Sequence, residues 1–172
     1  LTYTATITTD LGVITIELWP EIAPNHVRSF VALAKVGYYD GLAFDRIVKR
    51  EEADGTLFEC LEAGCPLGIG DSNYGSIGYW LLPEFSAEVS HYPGTIGAWH
   101  GEEVESAACK FYINLSKAEW MDGSFTLFGK VTQGLDVVRA IHNRPVVDDA
   151  IRDRPVEPVL MRSVVITSAV KD

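Results

Sequence analysis

The first eighteen residues alternate apolar and polar side chains in two runs, and this period constrains the fold more than any other feature. Residues 3–9 and 13–18 are rich in β-branched side chains, and Asp10-Leu11-Gly12 lies between them. A period of two is typical of a strand with one buried face, and a short turn between two such runs predicts a β-hairpin. The chain therefore begins as an antiparallel pair of strands.

Further strands and two helices follow this hairpin. Apolar residues at helical spacing, with Pro24 in the first turn and Gly37 as the stop, predict a helix over 24–36. A second helix is predicted over 133–141. The remaining strands are predicted at residues 44–50, 57–63, 95–99, 110–115, 126–131 and 159–167. Many strands with two separated helices favour a barrel capped by helices at its ends.

Two segments between these elements are irregular. Residues 51–55 are polar and are typical of a hairpin tip, whereas residues 64–93 are punctuated by Gly and Pro. An irregular stretch this long in a compact domain is usually functional or packed along the surface. The chain has 172 residues and no internal repeat, so we expect a single domain over residues 1–172.

The formal net charge of −10 argues against two kinds of partner. Nucleic-acid binding needs clustered Lys and Arg, and anionic membrane surfaces attract basic segments. No run approaches the roughly 18 apolar residues of a membrane helix, and residues 1–4 show no leader pattern. We therefore expect no nucleic-acid and no membrane partner. The compartment stays open between the cytoplasm and an exported, periplasmic location.

The sequence lacks the motifs of several other kinds of site. The set Cys60, Cys65, Cys109 and His100 does not match the spacing of a standard zinc site, and three cysteines do not make a disulfide framework. The sequence has no G-x-S-x-G elbow, and its Gly-rich segment lacks the G-K-[ST] ending of a phosphate loop. No metal and no cofactor is therefore predicted, and the cysteines are expected to be buried as small hydrophobes.

Four stretches, in order, carry a family resemblance. They are residues 25–41 (NHVRSFVALAKVGYYDG), 44–48 (FDRIV), 62–70 (EAGCPLGIG) and 120–131 (WMDGSFTLFGKV). Together they resemble the cyclophilin-type peptidyl-prolyl cis-trans isomerase family over nearly the whole chain. The resemblance implies a mainly β fold, namely a closed eight-stranded antiparallel β-barrel capped by two α-helices. It also implies a monomer that needs no cofactor.

The resemblance implies an enzyme that assists protein folding by isomerising prolyl bonds in peptides or unfolded proteins. Turning such a bond twists a partial double bond over a barrier of about 18–20 kcal/mol. In the twisted amide the nitrogen lone pair leaves conjugation, so a fixed cation can donate a hydrogen bond to it. Arg46 lies where the family carries its catalytic arginine and is predicted to be that donor. Without the resemblance, such an arginine is typical of a surface ion pair.

The resemblance also assigns a proline-binding groove. Its predicted members are Phe58, Cys60, Glu62, Trp99, His100, Lys110, Tyr112, Trp120, Met121 and Phe125. Tyr112, Met121 and Phe125 are expected to hold the proline ring, and Trp120 to shape the rim.

Three assignments in this groove keep alternatives. The family's Phe-Met pair fits either residues 58–59 or residues 59–60. Phe111 and Tyr112 should point to opposite faces of their strand, so one of them belongs to the core, and the resemblance selects Tyr112 for the groove. Phe125 also suits an ordinary core position.

Glu62 and Lys110 stand where the family carries two glutamines. Our hypothesis is an ion pair between them in the groove, and the alternative is that one or both point to solvent. If they pair, Lys110→Gln alone should impair the site more than Gln at both positions. Equal effects of the single and double changes would exclude the pairing.

Other departures support a rival function. Asp45 replaces the family's His before the arginine, and Trp99, His100 and Phe125 alter one side of the groove, which disfavours the binding of cyclosporin. The rival is a non-catalytic module that binds proline-containing segments. The retained Arg46 favours the enzyme, whereas the changed polar positions favour the binding module.

Overall fold

The computed structural model describes residues 1–70, 77–147 and 153–170. None of the described helices is long and apolar enough to cross a membrane. In chain order the elements are β1 (Thr2–Thr9), β2 (Gly12–Leu18), α1 (Pro24–Lys35), β3 (Phe44–Glu51), β4 (Leu57–Ala63), β5 (Thr95–Ala98), β6 (Phe111–Asn114), a 3-10 turn (Glu119–Met121), β7 (Leu127–Gln133), α2 (Leu135–His142) and β8 (Ser163–Ala169).

The eight strands form one antiparallel sheet in the order β3-β4-β6-β5-β7-β2-β1-β8. The described residues show no strand ladder between the two edges, β3 and β8. The start of β3 does meet the segment that precedes β8, through a bridge between Ala43 and Leu160 and a 2.9 Å hydrogen bond from the Phe44 amide to the Val159 carbonyl. The mainly β, eight-stranded architecture with two helices is confirmed, whereas the closed barrel is not.

Most of the predicted element boundaries are close to those observed. α1 has Pro24 in its first turn and is followed by Gly37 at φ +76°, as the sequence predicted. The exception is β8, which begins at Ser163 rather than at residue 159. The reason is tertiary, because Val159 and Met161 bond to residues 41–44, at and just before the start of β3, instead of continuing the strand.

The irregular stretch 64–93 packs along the surface where it is described, and its residues 71–76 lie outside the described part. Leu81 donates to the Ala107 carbonyl at 2.7 Å. Glu84 accepts hydrogen bonds from the backbone amides of Asn25 and His26 at 3.1 and 3.0 Å. These are first-turn amides of α1, which lack partners inside the helix and attract negative charge. Glu84 therefore fastens the irregular stretch to α1.

The sheet separates two apolar clusters. The larger one packs α1 and α2 against the strands and includes Ile7, Ile16, Phe30 and Phe111. The smaller one, called here the groove cluster, comprises Val48, Phe58, Cys60, Tyr112, Ala118 and Met121, with Trp99 and Phe125 packed against it. Phe111 and Tyr112 thus enter different clusters, which confirms that these strand neighbours point to opposite faces.

Gly64, directly after β4, lies where the chain passes very close to the residues that precede β6. A Cβ at this position would lie 2.3 Å from the Cys109 carbonyl oxygen, and the backbone has φ +97°. Gly55 at the β3–β4 hairpin tip has a similar φ of +82° but open space around it. We expect Gly55→Ala to lower the free energy of unfolding by about 1–2 kcal/mol, because alanine is strained at this φ. Gly64→Ala should lower it by about 1–3 kcal/mol more, because its Cβ also clashes with the Cys109 carbonyl. Urea unfolding measures both, and equal losses would contradict the close approach.

Candidate active site

Arg46 lies on β3 with its guanidinium held from three directions. Its Nη1 donates to Glu62 Oε1 at 2.9 Å, and its Nη2 donates to Asp153 Oδ2 at 3.1 Å. The Trp99 ring centroid lies 5.7 Å from the Arg46 Cζ, within cation–π range. The side chain is only 11% exposed. Burial by itself lowers the pKa of Arg46, but the two carboxylates outweigh it and hold the pKa above its usual value.

Glu62 and Lys110 form the contact that the sequence predicted. Lys110 Nζ lies 3.0 Å from Glu62 Oε2, and both side chains are 1% exposed, so the solvent-facing alternative is wrong. Glu62 Oε2 receives no well-aligned hydrogen bond from the described residues, which makes this contact an ion pair. Glu62 therefore lies between two cations, because its other oxygen binds Arg46. A buried carboxylate needs such compensation.

Arg46, Glu62 and Lys110 form a row of buried charges. Asp45 is buried near this row rather than in the groove cluster. Its Oδ2 accepts the Gly70 amide at 3.1 Å. Burial raises the pKa of Asp45 above its ordinary value, although the Lys110 charge acts in the opposite direction.

The floor beside Arg46 is apolar. Phe58 and Cys60 both enter the groove cluster with Tyr112 and Met121, so the structure brings both members of the ambiguous alignment to the same face. Trp120 packs edge-on against Phe58 with ring centroids 5.3 Å apart and is 60% exposed, which places it at the rim.

One wall consists of stacked rings. Phe125 lies 5.7 Å from the Trp99 ring and 4.2 Å from the His100 ring, both near parallel. It also meets Tyr112 edge-on at 6.0 Å, so Phe125 belongs to the groove and not to the main core. His100 Nδ1 lies 2.7 Å from the Gly101 carbonyl oxygen, and His100 Nε2 lies 2.7 Å from the Ser124 carbonyl oxygen. The site residues predicted from the sequence are therefore adjacent to one another.

Sequence reasoning missed three residues at this site, namely His91, Asp122 and Asp153. His91 Nε2 lies 2.8 Å from the Tyr112 hydroxyl, and its Nδ1 lies 2.5 Å from Asp122 Oδ1. A tyrosine in an apolar groove signals that its hydroxyl needs a partner, but not which one. Asp153 gives no sequence signal, since it lies 107 positions from Arg46.

The described residues contain no grouping of His, Cys, Asp and Glu that could hold a metal ion. Cys60, Cys65 and Cys109 are all buried, and none of them forms a disulfide. Burial raises the pKa of the Cys60 and Cys109 thiols, so neither is an activated nucleophile.

Fold and site together define an antiparallel β-sheet protein in which a fixed, mostly buried guanidinium lies beside an apolar cluster. This chain belongs to the cyclophilin family: the family model for cyclophilin type peptidyl-prolyl cis-trans isomerases matches residues 4–166. It is 31% identical to the peptidyl-prolyl cis-trans isomerase ppi1 of Schizosaccharomyces pombe over 88% of this chain and 90% of the relative. Identity to the mouse (Mus musculus) peptidyl-prolyl cis-trans isomerase-like 1 is 30%, over 88% and 84% of the two chains.

Solved structures show the same fold. A cyclophilin type peptidyl-prolyl cis-trans isomerase of Cryptosporidium parvum aligns with a TM-score of 0.83 at 21% identity, over 99% of this chain and 100% of that chain. A second structure of that protein, in the presence of the dipeptide Ala-Pro, aligns with a TM-score of 0.81 at 21% identity, over 96% of this chain and 99% of that chain.

The buried ion pair makes a prediction for stability. We expect Lys110→Gln to lower the free energy of unfolding by about 2–3 kcal/mol, because it leaves one carboxylate charge less compensated. Gln at both 62 and 110 should recover part of this loss, since both charges of the pair are then gone and Arg46 still has Asp153 as a partner. The exposed pair Lys117–Glu119, 3.1 Å apart, is the matched control, and Lys117→Gln should leave the free energy of unfolding nearly unchanged. Urea unfolding gives all three values; a double variant no more stable than Lys110→Gln would contradict the pairing.

Proposed function

We propose that this protein isomerises prolyl peptide bonds, with Arg46 stabilising the twisted amide. The observation that carries this proposal is the placement of the Arg46 guanidinium, held by Glu62 and Asp153 beside the groove cluster. A guanidinium has five N–H donors, and these two contacts engage two of them. A further N–H group can be donated to the amide nitrogen as it becomes pyramidal.

The environment of Arg46 suits this chemistry. Its charge and orientation are set before a substrate binds, so no reorganisation is needed when the amide twists, and a fixed donor in a dry site is worth more than one in water. The donor acts mainly on the twisted state, because the planar amide nitrogen has no available lone pair, and only such differential binding accelerates the reaction. Tyr112, Met121 and Phe125 supply an apolar seat for the proline ring.

The same groove and the relatives together indicate the class of ligand. The relatives are named as peptidyl-prolyl cis-trans isomerases, and the similar Cryptosporidium parvum protein has been crystallised in the presence of Ala-Pro. Proline-containing peptides and unfolded protein segments are therefore the proposed ligands, bound by a monomer. The net charge of −10 disfavours nucleic acid as a partner.

A second candidate function rests on one observation about Arg46. Two carboxylates lie against its guanidinium and Trp99 covers one side. These contacts offset the positive charge that the twisted amide would experience. A protein with this arrangement could bind proline-containing segments without accelerating their isomerisation.

Exchange NMR of a short Xaa-Pro peptide separates these functions. We expect the wild type to accelerate cis–trans exchange and Arg46→Ala to lose about 100-fold or more of that acceleration, the loss seen when a fixed transition-state donor is removed. Arg28→Ala, an exposed arginine on α1, is the matched control and should exchange like the wild type. If the wild type binds the peptide but exchange stays at the uncatalysed rate, the protein is a binding module.

Asp153 offers a test of how Arg46 is oriented. Among the described residues it is the non-glycine residue with positive φ, at +72°, a conformation that Gly and Asn accept readily. Asp153→Gly keeps this backbone but removes the carboxylate, and Asp153→Asn keeps the shape but removes the charge. We expect both to lower kcat/KM by about 10- to 100-fold through a misplaced guanidinium. Catalysis at the wild-type level in Asp153→Gly would show that Glu62 alone orients Arg46.

A further inference from the structure

The Tyr112 hydroxyl is part of a buried chain of hydrogen bonds below the groove. Tyr112 on β6 pairs across the sheet with Gly97 on β5. A Cβ at position 97 would lie 2.1 Å from the Tyr112 hydroxyl oxygen, so the tyrosine side chain lies directly over the glycine. The absence of a side chain at 97 allows the ring to lie across β5 and the hydroxyl to reach beyond it.

His91 is the hydrogen-bond partner of the Tyr112 hydroxyl. Its Nε2 lies 2.8 Å from the Tyr112 oxygen, and the two rings are near parallel with centroids 6.1 Å apart. On the other side, Asp122 Oδ1 lies 2.5 Å from His91 Nδ1 and accepts the His91 amide at 3.0 Å, while Asp122 Oδ2 accepts the Ser90 hydroxyl. A carboxylate only accepts, so Nδ1 carries the ring proton. In the neutral ring Nε2 is then the acceptor, and the Tyr112 hydroxyl donates to it.

Burial supports the neutral form of His91. The side chain is 1% exposed, and burial lowers the pKa of His91 below its usual value although Asp122 acts in the opposite direction. The order carboxylate, imidazole, hydroxyl is also that of a hydrolytic triad. Tyr112 is itself 1% exposed and burial raises its pKa, so its oxygen cannot attack a ligand in the groove. The chain of hydrogen bonds must therefore act on the structure of the groove.

The chain connects the parts from which the groove is built. Asp122 directly follows the 3-10 turn that carries Trp120 and Met121, and its backbone amide bonds to that turn. Tyr112 lies in the groove cluster and meets Phe125 edge-on. One polar chain thus fixes the floor residue on β6 relative to the turn that forms the rim.

We propose that His91 is a positioning residue, which holds the Tyr112 ring as the floor of the proline subsite through the hydroxyl of that tyrosine. This inference rests on the proposed function only in taking the groove as the site of proline binding. The buried Tyr112 ring supports the groove surface beneath a bound proline in the planar and twisted states alike, so its misplacement should raise KM and leave kcat nearly unchanged. Loss of Arg46 should have the opposite pattern.

Two isosteric replacements of His91 separate its two contacts. In His91→Asn the amide nitrogen replaces Nδ1 and can still donate to Asp122, but nothing reaches Tyr112. In His91→Gln the amide oxygen replaces Nε2 and can still accept from Tyr112. Exchange NMR at several concentrations of an Ala-Pro-containing peptide gives kcat and KM. We expect His91→Asn to raise KM about tenfold, the effect of one lost hydrogen bond, and His91→Gln to stay within about threefold of the wild type.

Tyr112→Phe decides whether His91 acts through the hydroxyl. It should raise KM like His91→Asn, and the two changes together should raise it no further. An unchanged KM in Tyr112→Phe, or a His91→Asn effect that persists undiminished in the phenylalanine background, would overturn the proposal. If the His91 variants do not fold, Tyr112→Phe alone decides, since it removes a single oxygen.

Failure of the proposed function gives a different result. If the wild type does not accelerate exchange, the peptide dissociation constant from NMR shift changes replaces KM as the readout. The same pattern of weakened binding in His91→Asn and Tyr112→Phe then supports the positioning role in a binding module. Unchanged dissociation constants in both variants overturn it.

Discussion

The buried row of charges Arg46, Glu62 and Lys110 is the constraint on which the rest of the structure depends. Removing a charge from water is costly unless opposite charges accompany it, and Glu62 is accompanied on both sides. The register makes this possible, because Arg46 on β3 pairs with Glu62 on β4, and Lys110 immediately precedes β6, the next strand in the sheet. A slip by one residue would turn every side chain of a strand to the other face. The charges and the register therefore enforce each other.

The sheet that carries these charges also divides the molecule into a scaffold and a candidate site. Phe111 and its cluster stabilise the sheet on one face, whereas Tyr112 and the groove cluster form a second, smaller apolar surface on the other. Arg46 lies at the edge of that second surface, where low polarity strengthens its interactions. The irregular stretch that contains Glu84 and His91 is bonded both to α1 and to the groove floor. The stretch thus links α1 to the residues of the groove cluster.

Much of the fold could be predicted because it depends on local patterns. The period of two gave the strands, and the residues with special backbone geometry, Pro24 and Gly37, gave the bounds of α1. The start of β8 was wrong because Val159 bonds to Phe44, more than a hundred residues away, and no local pattern reports that contact. For the same reason the sequence could not tell whether β3 and β8 share a ladder.

The site divides in the same way. The sequence by itself predicted the groove residues, since the resemblance located Arg46 and the exchange of two glutamines for an acid and a base indicated the pair of Glu62 and Lys110. Only the tertiary structure decided that Asp153 also holds Arg46 and that His91 accepts from Tyr112. Residue type reveals that a buried polar group needs a partner. Which residue provides it depends on how distant segments of the chain meet, and that is a property of the packed molecule.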